Sequence, residues 1–228
     1  MSRSSLRRLA GPAFAGCLAL VGSVLPVFAT PAAAASPDLV ISQVYGGGGN
    51  AGAPFTHDYV ELFNRGSAPV TTADLSVQYA SATGTGNFQA APLSTVTVPA
   101  GGYYLLQLAG GSVGAALPTA DATGTLNLSG TAGKVVLVDG TAALACNGGS
   151  APCTAEQSAR IVDLVGFGNA NFAEGSPAPT LSSSTAAFRA GGGCTDTDAN
   201  AADFAAGTPS PRTSIPNGSR LMPPSNPK

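Results

Sequence analysis

Short runs in which apolar and polar residues alternate recur along the chain, and turns rich in glycine and proline separate them. In residues 75–80, Leu75, Val77 and Tyr79 alternate with two polar residues, so a strand here has one apolar and one polar face. The runs predict about nine short strands, at residues 39–45, 58–63, 75–80, 95–98, 103–108, 125–128, 134–138, 160–167 and 186–189. No helix of useful length is predicted.

Turn residues indicate how some of these strands connect. Pro99-Ala100-Gly101-Gly102 separates strands 95–98 and 103–108 and predicts a hairpin. A second hairpin is predicted around residues 129–133, between strands 125–128 and 134–138. Many short strands joined by such turns are typical of a sandwich and not of a parallel sheet.

Composition supports an all-β domain. Only 10% of the residues are charged, whereas the chain has 30 glycines and 18 prolines. A surface helix needs charged and long side chains on its solvent face, and this chain is poor in them. The length suits one large all-β domain.

The N-terminus has the features of a secretory signal peptide. Arg3, Arg7 and Arg8 precede an apolar stretch that runs to about residue 29, and small residues follow at 32–35. This order predicts a signal peptide over residues 1–35, removed after Ala35. A membrane anchor is the alternative, and Arg7-Arg8 leaves the choice between the general and the twin-arginine route open.

Removal of residues 1–35 leaves a 193-residue mature protein, since 228 − 35 = 193. It loses three of ten basic residues and none of twelve acidic ones, so its formal charge goes from −2 to −5. An acidic protein with scattered basic residues lacks the positive surface that nucleic acids require. We expect a β-sandwich over residues 36–213, a disordered tail over 214–228, no membrane span in the mature chain, and a secreted, extracellular or periplasmic location.

Several segments are typical of one family in their order and spacing. They are LVISQVYGGGGN from Leu39, DYVELFNRGSAPV from Asp58, VPAGGYYLLQ from Val98, GKVVLV from Gly133, IVDLVGFG from Ile161 and GGCTDTDANAADF from Gly192, followed by Pro209-Ser210-Pro211-Arg212. Together they resemble the bacterial lamin-tail-like domain family over about residues 37–213. The resemblance implies an immunoglobulin-like β-sandwich.

The resemblance also implies a non-catalytic module, found alone or attached to secreted hydrolases. We therefore expect an interaction or adhesion module, not an enzyme, that binds an extracellular protein or a cell-envelope component. The alternative is an accessory piece, or a small member, of a secreted nuclease or phosphatase system. Fold analogy does not establish function, which depends on the chemistry of particular residues.

The mature chain has three cysteines, Cys146, Cys153 and Cys194. In an oxidising compartment, Cys146 and Cys153 are expected to form a local disulfide. The alternative is that one of them pairs with Cys194. Either way one thiol is left over, free or intermolecular.

The sharpest chemical hypothesis is a calcium site. Asp196, Asp198, Asn200 and Asp203 follow the spacing D-x-D-x-N-x-x-D, and alternate oxygen ligands are how a loop wraps a hard cation. A full EF-hand needs a glycine at the position of Ala201 and a glutamate at the position of Gly207, and this chain has neither. The alternative is a turn in which the Asp and Asn side chains bond nearby backbone N–H groups. No cofactor is required by this interpretation, and calcium is the one candidate.

The remaining candidate site residues give weaker indications of a functional site. Glu61 and Asp163 lie in strands, where a solvent-facing or turn-bonded carboxylate is favoured over paired acid catalysis. Tyr103 and Tyr104 are adjacent, so they must point to opposite faces. For the one outside the core, packing beside its neighbours is favoured over binding a ligand. His57 lies at the start of a strand without a nucleophile motif around it, so a solvent-facing turn histidine is favoured.

The calcium hypothesis predicts that the thermal midpoint of the protein from residue 36 onward is higher in calcium than in excess chelator. Binding to the folded state alone raises its stability. Changing Asp196 and Asp198 together to Ala removes the increase, measured by thermal melts of both proteins. An increase that survives the double change assigns the ion to another part of the chain.

Overall fold

The computed structural model of the protein describes residues 38–214. The predicted signal peptide, Cys17 and all of the predicted tail except Ser214 lie outside the described residues. The strands are β1 (Leu39–Tyr45), β2 (His57–Asn64), β3 (Val70–Thr71), β4 (Leu75–Ser81), β5 (Gln89–Pro92), β6 (Thr97–Val98), β7 (Tyr103–Gly110), β8 (Ala122–Thr123), β9 (Gly133–Asp139), β10 (Ile161–Phe167), β11 (Ala186–Arg189) and β12 (Phe204–Gly207). Two single-turn helices, α1 (Ala155–Ser158) and α2 (Asn200–Asp203), and a 3₁₀ turn at Ala190–Gly193 complete the fold.

Two sheets form a sandwich, as the sequence predicts. One sheet has six strands in the order β12-β11-β1-β2-β7-β8, and the other has four in the order β10-β9-β4-β5. Strands β3 and β6 form a separate two-stranded pair. All neighbours are antiparallel except β7 and β8. The all-β, immunoglobulin-like fold class is confirmed.

The main core lies between the two sheets. Ile41, Leu62 and Leu106 of the six-stranded sheet share one buried apolar cluster with Val77 and Leu137 of the four-stranded sheet. Burying such side chains is worth about 1.5–3 kcal/mol each. The apolar residues of the alternating pattern are therefore the ones that face the core.

The six-stranded sheet is also covered on the face turned away from this core, which we call the outer face. Residues directly opposite each other in an antiparallel ladder share a face. Gln43 registers with Glu61 and Tyr45 with Tyr59, and Glu61 registers in turn with Leu105. All five side chains are buried. Strand β1 is therefore buried on both faces, which strict alternation does not predict.

The outer face of the four-stranded sheet lies under a loop closed by a disulfide. Cys146 and Cys153 are bonded, with 5.1 Å between their Cα atoms, and Cys146 packs against Val136 and Leu164. The predicted pairing is confirmed. Cys194 is exposed and has no disulfide partner among the described residues.

Both predicted hairpins are wrong, although the turns exist. Strand β6 pairs with β3, and β7 pairs with β2 and β8. The turn after Pro99 carries the chain from the small pair to the large sheet, and buried Asn64 holds it by accepting from Gly101 N and donating to Val98 O. A turn motif reverses the chain but does not determine which strand the next segment pairs with, because turns in a sandwich also connect strands of different sheets.

The second predicted hairpin fails for the same reason. The segment at 125–128 continues along β7, where Ala109 N donates to Leu126 O at 3.0 Å. Strand β9 instead lies between β4 and β10. The chain thus crosses from one sheet to the other at residues 129–133. Strands β3, β5, β8 and β12, which are short or rich in alanine, were not predicted because they carry no clear apolar alternation.

One buried ion pair joins the two sheets. Arg189 of β11 and Asp163 of β10 have fully or almost fully buried side chains, and Nη2 lies 2.8 and 2.7 Å from the two carboxylate oxygens. Both reach Ile41 of β1: its N–H donates to Asp163 at 2.5 Å, and its carbonyl accepts from Arg189 Nε at 2.8 Å. Three strands from two sheets therefore meet at one charge pair.

Two irregularities in the strands surround this pair. The β1–β2 register shifts between Ile41 and Gln43, and the β10–β9 register shifts between Ile161 and Asp163. The β1–β11 ladder pairs Gln43 with Phe188 and does not reach Ile41, so the ion pair satisfies the Ile41 backbone groups in place of a strand. Bulges commonly re-aim a side chain in this way.

We expect Arg189→Gln to lower the free energy of unfolding by about 3–5 kcal/mol, because it leaves buried carboxylates without their cation. Urea unfolding followed by circular dichroism measures the change. The matched control is Arg160→Gln, whose guanidinium bonds the Asp139 carbonyl in an exposed setting, and we expect a change below about 1 kcal/mol there. Equal losses in the two variants contradict this account of the ion pair.

Candidate functional site

Asp196, the first residue of the predicted calcium set, points at two arginines. Its side chain is 1% exposed, with one carboxylate oxygen 2.8 Å from Arg189 Nη1 and the other 3.2 Å from Arg65 Nη2. Asp196 therefore belongs to the ion-pair cluster beneath β11. In this structure its carboxylate is paired with the guanidinium groups of Arg65 and Arg189.

Asp203, the last residue of the predicted set, closes the loop onto itself. Its Oδ2 accepts from Thr197 N at 2.8 Å and its Oδ1 from Thr197 Oγ1 at 2.7 Å. Between them, Asp198 has a φ of 54°, the left-handed conformation that Asp and Asn tolerate best among non-glycine residues. This geometry matches the turn that the sequence allows as the alternative to calcium.

Asn200, the third predicted ligand, protects an open sheet edge. Its Oδ1 accepts from Gly166 N at 2.9 Å, and its Nδ2 donates to Leu164 O at 2.9 Å. The fully buried amide side chain takes the place of a neighbouring strand along β10. Unpaired strand edges invite association, so Asn200 both closes β10 and anchors α2.

The structure thus groups Asp196 with two other carboxylates. Ligand oxygens of Asp163, Glu174 and Asp196 all lie within 4.8 Å of one another, and Arg189 bonds the first and the third. Oxygens of Asn200 and Asp203 accept from other protein donors. Calcium binding at these residues stays a prediction.

Glu174 is the unusual acid of this group. Burial, the largest cause, and the negative charges of Asp163 and Asp196 together raise its pKa to about 8, against the opposing effect of Arg189. Its two oxygens accept from Leu164 N at 3.3 Å and Asn200 Nδ2 at 3.0 Å. At neutral pH the group is therefore mostly protonated, which avoids a third negative charge in the cluster.

A second site lies on the outer face of the six-stranded sheet, under a C-terminal strap that we define as residues 209–214. Glu61 is fully buried at its centre. Its Oε1 accepts from Ser42 Oγ at 2.5 Å and from Arg212 Nη2 at 2.8 Å. Its Oε2 accepts from Gln43 Nε2 at 3.0 Å, from Arg212 N at 2.6 Å and from Arg212 Nε at 3.2 Å.

Tyr103 completes the arginine site. The Arg212 guanidinium carbon lies 3.7 Å from the centre of the Tyr103 ring, and Nη1 donates to Tyr103 Oη at 2.6 Å. Burial alone lowers the pKa of Arg212, but the hydrogen bonds and charge of Glu61 outweigh it and raise the pKa. Tyr103 and Tyr104 point to opposite faces as predicted, with Tyr104 in the main core.

Two further side chains hold the strap on either side of Arg212. Gln43 pairs with the backbone of Ser210 by donating to its carbonyl at 2.8 Å and accepting from its N–H at 3.3 Å. Asp121 accepts from Ser214 N at 3.2 Å and from the hydroxyls of Thr213 and Ser214. The strap therefore crosses the sheet from β1 to the residue before β8.

Sequence reasoning missed this site. It placed Glu61 at the solvent face or at a turn, whereas the structure buries it with a cation. The isolated Glu in an apolar strand and the Arg after Pro209 and Pro211 were visible signals, but nothing local shows that residues 151 positions apart meet. Asp163 is corrected in the same way, since it is buried with Arg189. His57 Nδ1 lies 2.8 Å from Thr56 Oγ1 at the start of β2.

The raised pKa of Glu174 predicts a pH-dependent stability. Between the ordinary glutamate pKa and about 8, the folded state holds a proton that the unfolded state has lost, so stability falls as pH rises, by up to about 1.4 kcal/mol per pH unit. Glu174→Gln removes this slope. Urea unfolding at pH 5 to 8 in excess chelator compares the two proteins, and parallel curves contradict the assignment.

The fold agrees with that of a known protein family. The sequence model of the lamin tail domain family matches residues 32–163, more than half of the chain. No curated protein matches the chain. The family is a non-catalytic immunoglobulin-like domain, and strands β1 to β9 lie within the matched range. This chain belongs to the lamin tail domain family.

Proposed function

We propose that this protein is a secreted, non-catalytic interaction or adhesion module that binds a protein or cell-envelope partner through the outer face of its six-stranded sheet. Family membership supports an interaction module. The basic, apolar and small-residue order of residues 1–35 supports secretion. Among the described residues, no helix is long and apolar enough to cross a membrane.

One observation carries the choice of this face. The outer face already holds an extended segment, the strap, through side chains that contact both its backbone and its arginine. Most of the polar groups that do so stand on β1, β2 and β7, and strands hold side chains more rigidly than loops do. A face built in this way suits recognition of an extended protein segment.

Site-directed photo-crosslinking tests the proposal. The protein from residue 36 onward carries a photoreactive residue at exposed Thr123 of β8, which registers with Gln107 on the outer face, or as the control at exposed Ser150 in the disulfide loop on the other sheet. We expect saturable binding to isolated cell envelopes or secreted proteins of the source organism, with crosslinks from position 123 and few from position 150. Absence of binding, or crosslinks from position 150 alone, contradicts the proposal.

The enzymatic alternative is tested on the same preparation. Nuclease and phosphatase assays with divalent metals are expected to show no turnover above the buffer. Robust turnover that is lost in His57→Ala or Asp203→Asn replaces the proposal with the alternative of a small secreted hydrolase.

A further inference from the structure

We propose that the strap occupies a site for an arginine-bearing extended segment of a protein partner, and that the partner segment binds Glu61 and Tyr103 in place of Arg212. This inference rests on the proposed function and names the chemistry of its ligand.

The site selects a guanidinium. Glu61 accepts from two side-chain nitrogens and the backbone N–H of Arg212, and the Tyr103 ring stacks at 3.7 Å. Arginine combines several fixed donors with a flat, weakly hydrated charge that stacks on aromatic rings, whereas the ammonium of lysine is a compact point charge. The match therefore favours arginine over lysine.

The site also requires a peptide backbone. The Gln43 amide pairs with both the N–H and the carbonyl of Ser210, two residues before the arginine. A free guanidinium compound cannot make these bonds. Prolines on both sides of Ser210 restrict the segment to an extended form before it binds, which lowers the entropy that binding must overcome.

The sheet positions this site without help from the strap. Ser42 and Gln43 hold the Glu61 carboxylate, and Tyr59 Oη holds Gln43 Oε1 at 2.8 Å. Phe63 packs against Tyr103 with 4.8 Å between ring centres. All of these residues lie on β1, β2 or β7. When the strap leaves, a preformed acidic site with an exposed tyrosine ring remains, and it is complementary to a cationic ligand.

The strap can leave without unfolding the sandwich. It follows the last strand, β12, and interrupts no sheet. The Arg212 side chain is 36% exposed, whereas that of Arg189 in the ion pair between the sheets is fully buried. A tethered segment of this kind competes at an effective concentration in the millimolar range. A partner segment must therefore bind tightly enough to compete with the tethered strap for the site.

The test removes the arginine from the strap and supplies the wild-type strap sequence as a separate peptide. The protein from residue 36 onward with Arg212→Ala is titrated with a fluorescent peptide of residues 207–214 and followed by fluorescence anisotropy. We expect the peptide to bind this variant at least about ten-fold more tightly than the wild type, whose own strap competes. The same peptide with lysine in place of arginine binds at least about ten-fold more weakly.

Two controls separate this site from non-specific binding. Arg160→Ala removes an arginine elsewhere on the surface and is expected to bind the peptide no better than the wild type. Arg212→Ala combined with Glu61→Gln keeps the shape of the site but removes its charge, and is expected to lose binding. Thermal melts confirm that each variant is folded. If Arg212→Ala does not fold, Arg212→Lys replaces it, since it keeps a charge beside Glu61.

Absence of peptide binding to a folded Arg212 variant overturns the inference, even if envelope binding persists and leaves the proposed function intact. Conversely, peptide binding without any envelope partner supports the site while the broader proposal fails. Self-association of the wild type that Arg212→Ala abolishes overturns the inference in another way, because it assigns the site to the strap of a second copy.

Discussion

This end of the sandwich depends on the ion pairs and hydrogen bonds of the buried Arg189 guanidinium. The guanidinium lies between Asp163 and Asp196 and bonds the carbonyl of Ile41, so β1, β10, β11 and the loop after β11 meet at a single side chain. Removing two charges from water costs several kcal/mol per ion, and close geometry with further hydrogen bonds is needed to offset it. Here the Ile41 N–H donates a further hydrogen bond to Asp163, and the Thr195 carbonyl accepts one from Arg189.

The same chemistry occurs twice in the molecule, with different consequences. Arg189 and Arg212 each bind a buried carboxylate and lie over an aromatic ring, Phe204 in one case and Tyr103 in the other. Arg189 is fully buried and joins two sheets, whereas Arg212 is partly exposed and stands on a terminal segment. The first arrangement is a permanent part of the fold. The second is suited to exchange with a ligand.

Much of the fold was predictable because alternation is a local property. The bounds of β1 and β11 agree with the predicted runs, and the disulfide between Cys146 and Cys153 follows from their proximity in sequence. Strand pairing was not predictable from turns, since Pro99 and its neighbours connect different sheets. The candidate sites were the least predictable part. Whether Glu61 and Asp163 are buried depends on arginines far away in the chain, and Asp203 bonds Thr197 in a way that its spacing from Asp196 does not reveal.

Native-state hydrogen exchange tests the contrast between the two arginine sites most directly. The Ile41 N–H donates to Asp163 and the Arg212 N–H donates to Glu61, so both amides report on a buried carboxylate. Amides that open only when the whole domain unfolds exchange with the global free energy of unfolding, and those of detachable segments exchange with less. We predict that Ile41 exchanges with the global value and Arg212 with a clearly smaller one. Equal protection of the two amides contradicts the account, because the strap is then as permanent as the core.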